Sequence, residues 1–391
     1  MLVLHLSFTP LAGAPIRICQ ALRLKGVEAR CAVLSADIGD YANRAFDQDL
    51  VWMRDRDEII DIARRCDVLH LHNYLSLGSQ EFAPLDFGEF WKQGRPIVRQ
   101  FHSAPAFVAH FCKTSVHDVL SCPIPKLVIG QFHERYYPDA RLVPNIALSP
   151  EGVVASSATE LPMRVGYAPS RFNSARSSRW DTKGYPETIR VLKHFCRSAR
   201  KAGVRVEIDV IEQVSHRECL ARKARCHIMI DDLVTGSYHL NTLESLAEGS
   251  ASLTFMDRRT LHAVSELTSR NDFPAINVGL EDAHDVLLDL VLKPDIVVQI
   301  GQRSRNWMAT HWAPASMAGH FLDAYAAVQR APHMPFPKRF ECDATTDWLA
   351  IGLHDVLWRN RTGRWPAITP DWILALRGVA GRALRATRLR Q

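Results

Sequence analysis

The sequence predicts an α/β protein with two doubly wound parallel sheets, one after the other along the chain. The first observation is that β-rich runs and helical patterns alternate over residues 1–150, which is the order that a parallel sheet requires. The second is that the alternation begins again at residue 163, after the small, polar, proline-flanked stretch 149–162. The third is the length, since 391 residues are too many for one ordinary core.

In the first half, short apolar runs are followed by turns or helices. The strand 2–8 leads through a small-residue turn, with Pro15 at a helix start, into a helix over 16–26 that ends at Gly26. Helices are also expected at 57–66 and near 85–93. Further strands are predicted at 27–35, 67–73, 95–103, 126–130 and 141–145.

The second half repeats this order of elements. The second half ends with apolar and aromatic residues at helical spacing over 305–329. Strands are predicted at 163–169, 204–212, 227–233 and 251–255, and helices at 185–202, 216–225 and 239–248. The predicted units are a first domain over 1–150, a linker over 151–162, a second domain over 163–310, a helix over 311–330 and a C-terminal extension over 331–391.

The composition is typical of a soluble globular protein, with 47% apolar and 23% charged residues. Nine cysteines stand singly and none forms a C-x-x-C pair, so we expect free thiols in a reducing compartment rather than disulfides or zinc. No run of 18 apolar residues is present, and the first ten residues are too short and strand-like for a signal peptide. We therefore expect a cytoplasmic protein.

The net charge of +6 is concentrated at the C-terminal end. Residues 331–391 contain ten Lys/Arg and five Asp/Glu, so the extension carries +5 and residues 1–330 carry +1. Residues 1–330 therefore lack the excess of basic side chains that indicates binding to nucleic acid. Residues 371–391 combine apolar side chains with five arginines, which predicts either contact with an anionic membrane surface at its inner face or a solvated terminus.

Candidate ligand-binding residues follow the strands of the second half, because loops at the carboxyl ends of parallel strands form the binding crevice. Arg171, Arg176, Arg179 and Lys183 lie in one such loop and suit a diphosphate, although a solvated surface loop has the same composition. In a second loop, Gly236 and Ser237 allow backbone amides to approach an anion.

Glu244 lies about two turns into the helix that follows this second loop, without a cationic partner at helical spacing. Its two carboxylate oxygens suit the hydroxyls of a ribose. The alternative is that it belongs to a solvated helix face. Asp231 and Asp232, at a strand end, are interpreted as local caps or pairs rather than as a metal site.

Four segments resemble the group-1-type glycosyltransferases of the GT-B fold. "LNTLESLAEGSASLTF" is similar to the family's E-A-M-A-x-G-x-P-V segment, and "VGYAPSRFN…TKG" to its strand with a following Arg and Lys-Gly pair. "LAGAPIRICQALRLKG" resembles the first glycine loop and helix, and "DVLHLHN" the D-V-V-H-x-H strand. The likeness covers roughly residues 1–330, and the order and spacing of the segments make it specific.

This resemblance implies two Rossmann-like domains with a cleft between them and a C-terminal helix that returns to the first domain. It implies that Glu244 holds the donor ribose. It also assigns His102 to the reacting sugar, as a base or as a contact, and makes His102 and Glu244 the catalytic candidates. The implied donor-binding residues are Gly13, Arg171, Lys183, Gly236, Ser237, Tyr238 and Glu244.

The acceptor-side candidates are His72 and Asn73, at the end of the predicted strand 67–73. His70 and His72 alternate on that strand, so both are expected on one face. The chain departs from the family pattern at two positions: Gly236 replaces a glutamate eight residues before Glu244, and Ala251 replaces a proline.

The resemblance predicts transfer of a sugar from a nucleotide-sugar to a glycan or lipid-linked acceptor, without a metal or other cofactor and without nucleic acid as a partner. Cations and amides would stabilise the departing diphosphate. Two alternatives stay open: a nucleotide-sugar 2-epimerase, and a nucleotide-sugar-binding protein without turnover, which the glycine at 236 allows.

Overall fold

The computed structural model describes residues 1–36, 46–147, 162–169 and 182–340, together with the single position 345. These residues form two parallel sheets with helices packed against them, which confirms the predicted α/β class. The predicted linker 151–162 lies outside the described residues except for position 162, as do Arg171, Arg176, Arg179 and the basic segment 371–391.

The first sheet has seven strands in the order β3-β2-β1-β4-β5-β6-β7, and every pair is parallel. Its strands are β1 Leu2–Ser7, β2 Glu28–Val33, β3 Leu50–Val51, β4 Val68–His72, β5 Ile97–Phe101, β6 Lys126–Ile129 and β7 Ala140–Val143. The connecting helices are α1 Ala14–Arg23, α2 Trp52–Arg65, α3 Phe87–Lys92, α4 Pro105–Cys112 and α5 Val116–Leu120.

The central strands of this sheet are buried on both faces, as parallel strands with helices on each side must be. On β1 and β4, leucines face the layer that contains Ile59 and Ile62 of α2. Because side chains alternate along a strand, His5, His70 and His72 point to the opposite face. The histidines are therefore enclosed on the side that the C-terminal helix covers.

The second sheet has five parallel strands in the order β12-β11-β10-β8-β9. Its strands are β8 Met163–Tyr167, β9 Val206–Val210, β10 Ile228–Ile230, β11 Ala251–Thr254 and β12 Ile276–Asn277. The helices of this half are α6 Tyr185–Lys201, α7 His216–Lys223, α8 Leu240–Glu248, α9 Arg258–Thr268, α10 Ala283–Val291, α11 Pro294–His311 and α12 Pro314–Arg330.

The residues at helical spacing over 305–329 belong to two helices, and the second of them lies within the predicted helix 311–330. Helix α11 ends at His311, and α12 begins at Pro314 after a break at Trp312 and Ala313. A proline at the first turn lacks an N–H, and it disfavours helical backbone at the preceding residue, here Ala313 with ψ 134°. The break turns α12 back onto α1, β5 and β7 of the first sheet.

The two halves share one apolar core. It joins residues of β1, β4 and α1 to side chains of α8, α9, α11 and α12, and Trp312 Nε1 donates to the Asn145 carbonyl over 2.9 Å. In the described part of the chain, no helix combines the length and apolar character that crossing a bilayer requires.

Candidate active site between the two sheets

The carboxyl ends of the two sheets face each other. The loop after β1 leads into α1, whose Arg17 Nη2 donates to Glu244 Oε1 on α8 over 2.7 Å. After β6, the Phe132 N–H donates to Ser237 Oγ in the loop between β10 and α8 over 3.0 Å. Ligand-binding loops of both halves therefore meet at one place, where a parallel α/β protein forms its crevice.

Glu244 is buried within a cluster of basic side chains. Arg17 and His216 contact its Oε1 at 2.7 and 3.3 Å, and Lys223 Nζ contacts its Oε2 at 2.5 Å. Burial raises the pKa of Glu244, but the charges of Lys223 and Arg17 outweigh this and hold the pKa well below its usual range. The carboxylate is therefore ionised.

Glu244 has no cationic partner on its own helix, as its spacing indicates, but other helices supply such partners and enclose it, so it does not belong to a solvated helix face. Glu244 is 5% exposed, and its partners come from α1 and α7 rather than from its own helix. Lys223 and Arg17 are equally buried, at 3% and 4% exposure. Sequence spacing along α8 cannot reveal partners that tertiary contacts supply.

The loop between β10 and α8 adopts the backbone that the glycine permits. Gly236 has φ 78°, in the left-handed region that favours glycine. Its carbonyl accepts hydrogen bonds from Asp257 N–H and Thr260 Oγ1, which fix the loop on α9. Within the described part of the chain, the N–H groups of Gly236, Ser237 and Tyr238 have no acceptor.

The side chains of Ser237 and Tyr238 do not line the crevice. The Ser237 hydroxyl accepts from Phe132 and donates to the Tyr238 carbonyl. The Tyr238 ring is fully buried against Phe273 and Trp312 in the shared core. A ligand in the crevice would therefore meet the backbone of this loop rather than these two side chains.

Asp231 and Asp232, at the end of β10, form local hydrogen bonds with the loop between β10 and α8, as the sequence analysis predicts. Asp232 accepts from the N–H groups of Val234 and Thr235 and from His239 Nε2. Asp231 accepts hydrogen bonds from the His239 N–H and from the Thr242 hydroxyl. Their oxygens are used by the protein itself.

His102 lies just beyond the end of β5 and is partly buried. Its Nε2 is 3.0 Å from His72 Nδ1, and its backbone N–H donates to Asn73 Oδ1 over 2.8 Å. Burial lowers the pKa of His102 to about 3, so the ring is neutral near pH 7.

His72 and Asn73 lie behind His102 rather than beside an acceptor. Both are 0% exposed. Asn73 has φ 46°, and its amide bridges the His102 N–H and the Ser103 hydroxyl. These acceptor-side candidates are thus buried in the described conformation and hold His102 in place.

Lys183 approaches from the second half, in the turn before α6. Burial is the largest cause that lowers the pKa of His133 to about 3, and electrostatic interactions with His239 and Lys183 add to it. Lys183 is thus close enough to affect His133 across the crevice. Arg171, predicted beside Lys183, lies outside the described residues.

Gly13 begins α1 at the crevice. It has φ 79° and is the N-cap of the helix, with Pro15 in the first turn. A Cβ at this position would approach Phe46 to 3.2 Å, so a larger residue would be both strained and crowded. Gly13, which the resemblance places near the donor, thus lies where the backbone itself favours a glycine.

Five side chains of this site were not predicted from the sequence, namely Arg17, His216, Lys223, His133 and His239. Arg17 lies one turn after Gly13, which is a signal that could have identified it. The others become neighbours only through tertiary packing, within the second half for His216, Lys223 and His239 and between the halves for His133, and no spacing in the sequence indicates it.

No model of a protein family matches the chain, and no curated protein matches it in sequence. Solved structures, in contrast, share its architecture at low sequence identity. An α-glucosyltransferase in complex with UDP and a 13-mer DNA containing an HMU base has a TM-score of 0.58 and 11% identity, over 83% of this chain and 99% of that one.

Two further structures align over most of their length. The catalytic domain of starch synthase IV from Arabidopsis thaliana, bound to ADP and acarbose, has a TM-score of 0.51 and 9% identity, over 84% of this chain and 99% of that one. Sucrose-phosphate synthase from Thermosynechococcus elongatus has a TM-score of 0.50 and 11% identity, over 85% and 100%. At these identities the likeness establishes the fold.

Proposed function

Because the chain has the GT-B fold of glycosyltransferases, we propose that it transfers a sugar from a nucleotide-sugar donor to a glycan or lipid-linked acceptor. The donor would bind against the second half, with its diphosphate between α1 and the loop before α8. The acceptor would enter from the first half, on the side of His102.

The observation that carries the proposal is a surplus of buried positive charge around Glu244. Two cations, Arg17 and Lys223, surround a single carboxylate. Arg17 Nη1 is buried and has no hydrogen-bond partner within the described part of the chain. A buried donor without a partner is costly, so this group suits an oxygen of an anionic ligand.

The backbone nearby supplies further donors for a diphosphate. The free N–H groups of residues 236–238 precede α8, whose N-cap, His239, makes no side-chain capping bond. A helix N-terminus and successive amides favour negative charge. As a nucleoside diphosphate departs, these groups and Lys183 would stabilise the charge that develops on it.

Glu244 keeps its proposed role at the ribose in a modified form. A carboxylate has about four acceptor sites. Arg17 and Lys223 occupy two of them, whereas His216 Nε2 accepts from Arg17 Nη2 over 2.6 Å and therefore donates nothing to Glu244. The remaining sites suit the ribose hydroxyls, so Glu244 would bind the ribose and two cations together.

We propose a glycan or lipid-linked acceptor for reasons of charge. Residues 1–330 carry a net charge of +1, which gives little attraction for a nucleic acid. The basic, apolar segment 371–391 suits the surface of an anionic membrane, where lipid-linked acceptors would be found.

Removing 371–391 should weaken sedimentation with anionic vesicles and leave nucleotide binding intact.

The test begins with thermal shifts of the full chain in a panel of nucleoside diphosphates and nucleotide-sugars. Selective stabilisation identifies the donor, because a ligand that binds only the folded state raises the melting temperature. The selected nucleotide-sugar is then incubated without acceptor, and nucleoside diphosphate release is followed by chromatography. Slow hydrolysis supports a transferase, whereas no selective stabilisation by any nucleotide would contradict the proposal.

The same experiment separates the two alternatives. Tight binding without any turnover would identify a nucleotide-sugar-binding protein. Appearance of a sugar epimerised at C2 would identify a 2-epimerase.

Lys183→Gln tests the phosphate contact. Loss of one charge-assisted bond, about 1.5–3 kcal/mol, should weaken nucleoside diphosphate binding roughly ten- to a hundred-fold. Lys201→Gln is the matched control, because Lys201 is exposed at the far end of α6. This variant should bind the nucleoside diphosphate with wild-type affinity. Equal affinity of both variants would remove Lys183 from the site.

A further inference from the structure

A continuous chain of five polar rings runs from the crevice into the protein. His102 Nε2 lies 3.0 Å from His72 Nδ1, and His72 Nε2 lies 3.0 Å from His5 Nδ1. His5 Nε2 is 3.2 Å from the Tyr325 hydroxyl, which is 2.8 Å from His70 Nδ1. We call these five residues the histidine chain.

The inner members of the histidine chain are sealed from water. His5, His70, His72 and Tyr325 are 0% exposed, between the first sheet and α12. Burial is the largest cause that lowers the pKa of His5, His70 and His72 well below the usual value, and it also raises that of Tyr325. All five rings are therefore neutral near pH 7.

Neutrality fixes the number of protons that the chain can hold. Four neutral imidazoles and one phenol carry five N–H and O–H protons. The four contacts take one proton each. Because the Tyr325 hydroxyl is fully buried, it donates to one neighbour and accepts from the other, since accepting from both would leave its own proton without a partner. The fifth proton then lies at one end, either on His102 Nδ1 at the crevice or on His70 Nε2 in the interior, and all four histidines share one tautomer.

The interior end decides between the two arrangements. Within the described residues, His70 Nε2 is buried and has no hydrogen-bond partner. Gln100, on the neighbouring strand, is close enough to raise the pKa of His70 against the larger lowering by burial, yet its two amide atoms make no hydrogen bond of good geometry among those residues. A buried N–H without an acceptor is rarer and more costly than a buried lone pair.

The crevice end can carry the fifth proton at little cost. His102 is partly exposed, and its Nδ1 has no partner within the described part of the chain, so water or a ligand can accept a hydrogen bond there. We propose that the histidine chain fixes His102 as the Nδ1–H tautomer, so that His102 offers the crevice a hydrogen-bond donor and not a base. His72, His5, Tyr325 and His70 are then positioning residues.

For the reaction, this assigns His102 to a hydroxyl or phosphate oxygen of the substrate, a role that rests on the proposed function. The tautomer itself does not depend on that function. Of the two roles that the family resemblance left open for His102, the arrangement of protons favours contact with the sugar over proton abstraction.

A metal site is the rival interpretation of the same side chains. Ligand atoms of His5, His70 and His72 lie within 4.8 Å of one another. However, the rings of His70 and His72 are stacked, with centroids 4.4 Å apart and planes inclined by 9°. A metal lies in the plane of each imidazole that binds it, so two stacked rings cannot share one ion. Three neutral ligands would also leave a dication uncompensated in a sealed core.

The decisive experiment is nitrogen NMR of the full protein labelled with ¹⁵N-histidine at pH 7. Long-range ¹H–¹⁵N spectra distinguish a protonated ring nitrogen from an unprotonated one, and the loss of one signal set in His102→Asn assigns His102. We expect Nδ1 protonated and Nε2 unprotonated for His102. The opposite tautomer, an imidazolium, or stoichiometric zinc bound to the purified protein would overturn the proposal.

Two variants test whether the histidine chain causes this tautomer. His72→Phe removes the partner of His102 Nε2, and both tautomers of His102 should then appear in the folded variant. Gln100→Leu should leave the Nδ1–H tautomer unchanged, because the amide takes no part. A pure Nδ1–H form in His72→Phe, or a switch of tautomer in Gln100→Leu, would show that something else sets it. Circular dichroism verifies folding, and the wild-type spectrum is decisive even if a variant does not fold.

The role in the crevice is tested separately with the donor found by thermal shift. His102→Asn retains an N–H donor near the position of Nδ1, so it should keep at least tenfold more turnover than His102→Ala, with similar nucleotide affinity. Equal turnover of the two variants would contradict the donor role. If neither the wild type nor any variant turns over, the proposed function fails, while the NMR result on the tautomer still stands.

Discussion

The buried carboxylate of Glu244 joins residues that are far apart in the sequence. It binds Arg17 of α1 and Lys223 of α7, and all three side chains are almost fully enclosed. A buried ion pair contributes little net stability compared with apolar residues, but removal of one partner leaves an uncompensated charge. Single substitutions here should therefore be severe even in the ligand-free protein.

Glu244→Ala is expected to lower the free energy of unfolding by about 3–5 kcal/mol, because Arg17 and Lys223 would remain buried without a counter-charge. Urea denaturation of the ligand-free protein measures this. Asp61→Ala is the control, since Asp61 and Arg65 form an ion pair in which the side chains are 60% and 61% exposed. That variant should change stability by about 0–1 kcal/mol, and a similar small effect of Glu244→Ala would refute the buried network.

Glu248, one turn further along α8, should make stability depend on pH. Burial raises its pKa from 4.5 to about 7. Because the folded-state pKa is raised, the carboxyl ionises above about pH 4.5 in the unfolded state but only near pH 7 in the folded state, so the folded state loses stability between these pH values.

Glu248→Gln should therefore raise the melting temperature at pH 8 and change it little at pH 4, where the wild-type carboxyl is protonated in both states. Thermal melts at the two pH values measure this. Glu81→Gln, at an exposed position, controls for the general loss of one negative charge. An equal effect of Glu248→Gln at both pH values would contradict the raised pKa.

At the scale of elements, α8 ends where α11 crosses it. Gly249 ends α8 in the left-handed conformation, with φ 83°. Helix α11 passes so close that a Cβ on Gly301 would overlap the Gly249 carbonyl oxygen. The glycine inside α11 is thus required by the close approach of two backbones, despite the cost of glycine in a helix.

Gly301→Ala should destabilise the protein by about 1–3 kcal/mol, because overpacking outweighs the gain in helix propensity. Gly319→Ala in α12 is the matched control, since a Cβ there would have no atom within 4 Å. That variant should stabilise by up to about 1 kcal/mol. The denaturant midpoints of both variants measure these changes in stability. If both variants were stabilised or both destabilised, the result would contradict the close crossing of α8 and α11.

At the scale of the whole molecule, the two halves are held by polar contacts as well as by the shared core. Arg135 of the first half pairs with Asp257 over 2.7 Å, and Glu134 of the first half pairs with Arg259 of the second. The shared core contains side chains from both halves, including the fully buried Phe101 and Tyr238. Each half also has an apolar core of its own, but part of its apolar surface is covered only by the other half.

The halves should therefore unfold together. Melting curves from far-ultraviolet circular dichroism and from tryptophan fluorescence are expected to coincide, because loss of either half exposes the common core. Two separated transitions would mean that the halves are independently stable. A saturating nucleotide should shift both curves by the same amount.

Much of the fold could be predicted from the sequence. The alternation of strands and helices determined the α/β class, and most strands lie within a few residues of their predicted bounds. Alternation along β4 placed His70 and His72 on one face, and the stacked rings confirm it. Asp231 and Asp232 make the predicted local bonds. These features depend on neighbours in the sequence, so local pattern and backbone geometry suffice.

Only the tertiary structure decided what surrounds the predicted site residues. The partners of Glu244 come from positions 21 and 227 residues away. His102 is connected through His72 and His5 to Tyr325 on a helix that begins after the break at Pro314. Charge pairing and the sharing of protons depend on distances of about 3 Å. The sequence does not encode such distances in its spacing, because they arise only when helices and strands that are distant in the chain pack together, both within each half and between the halves.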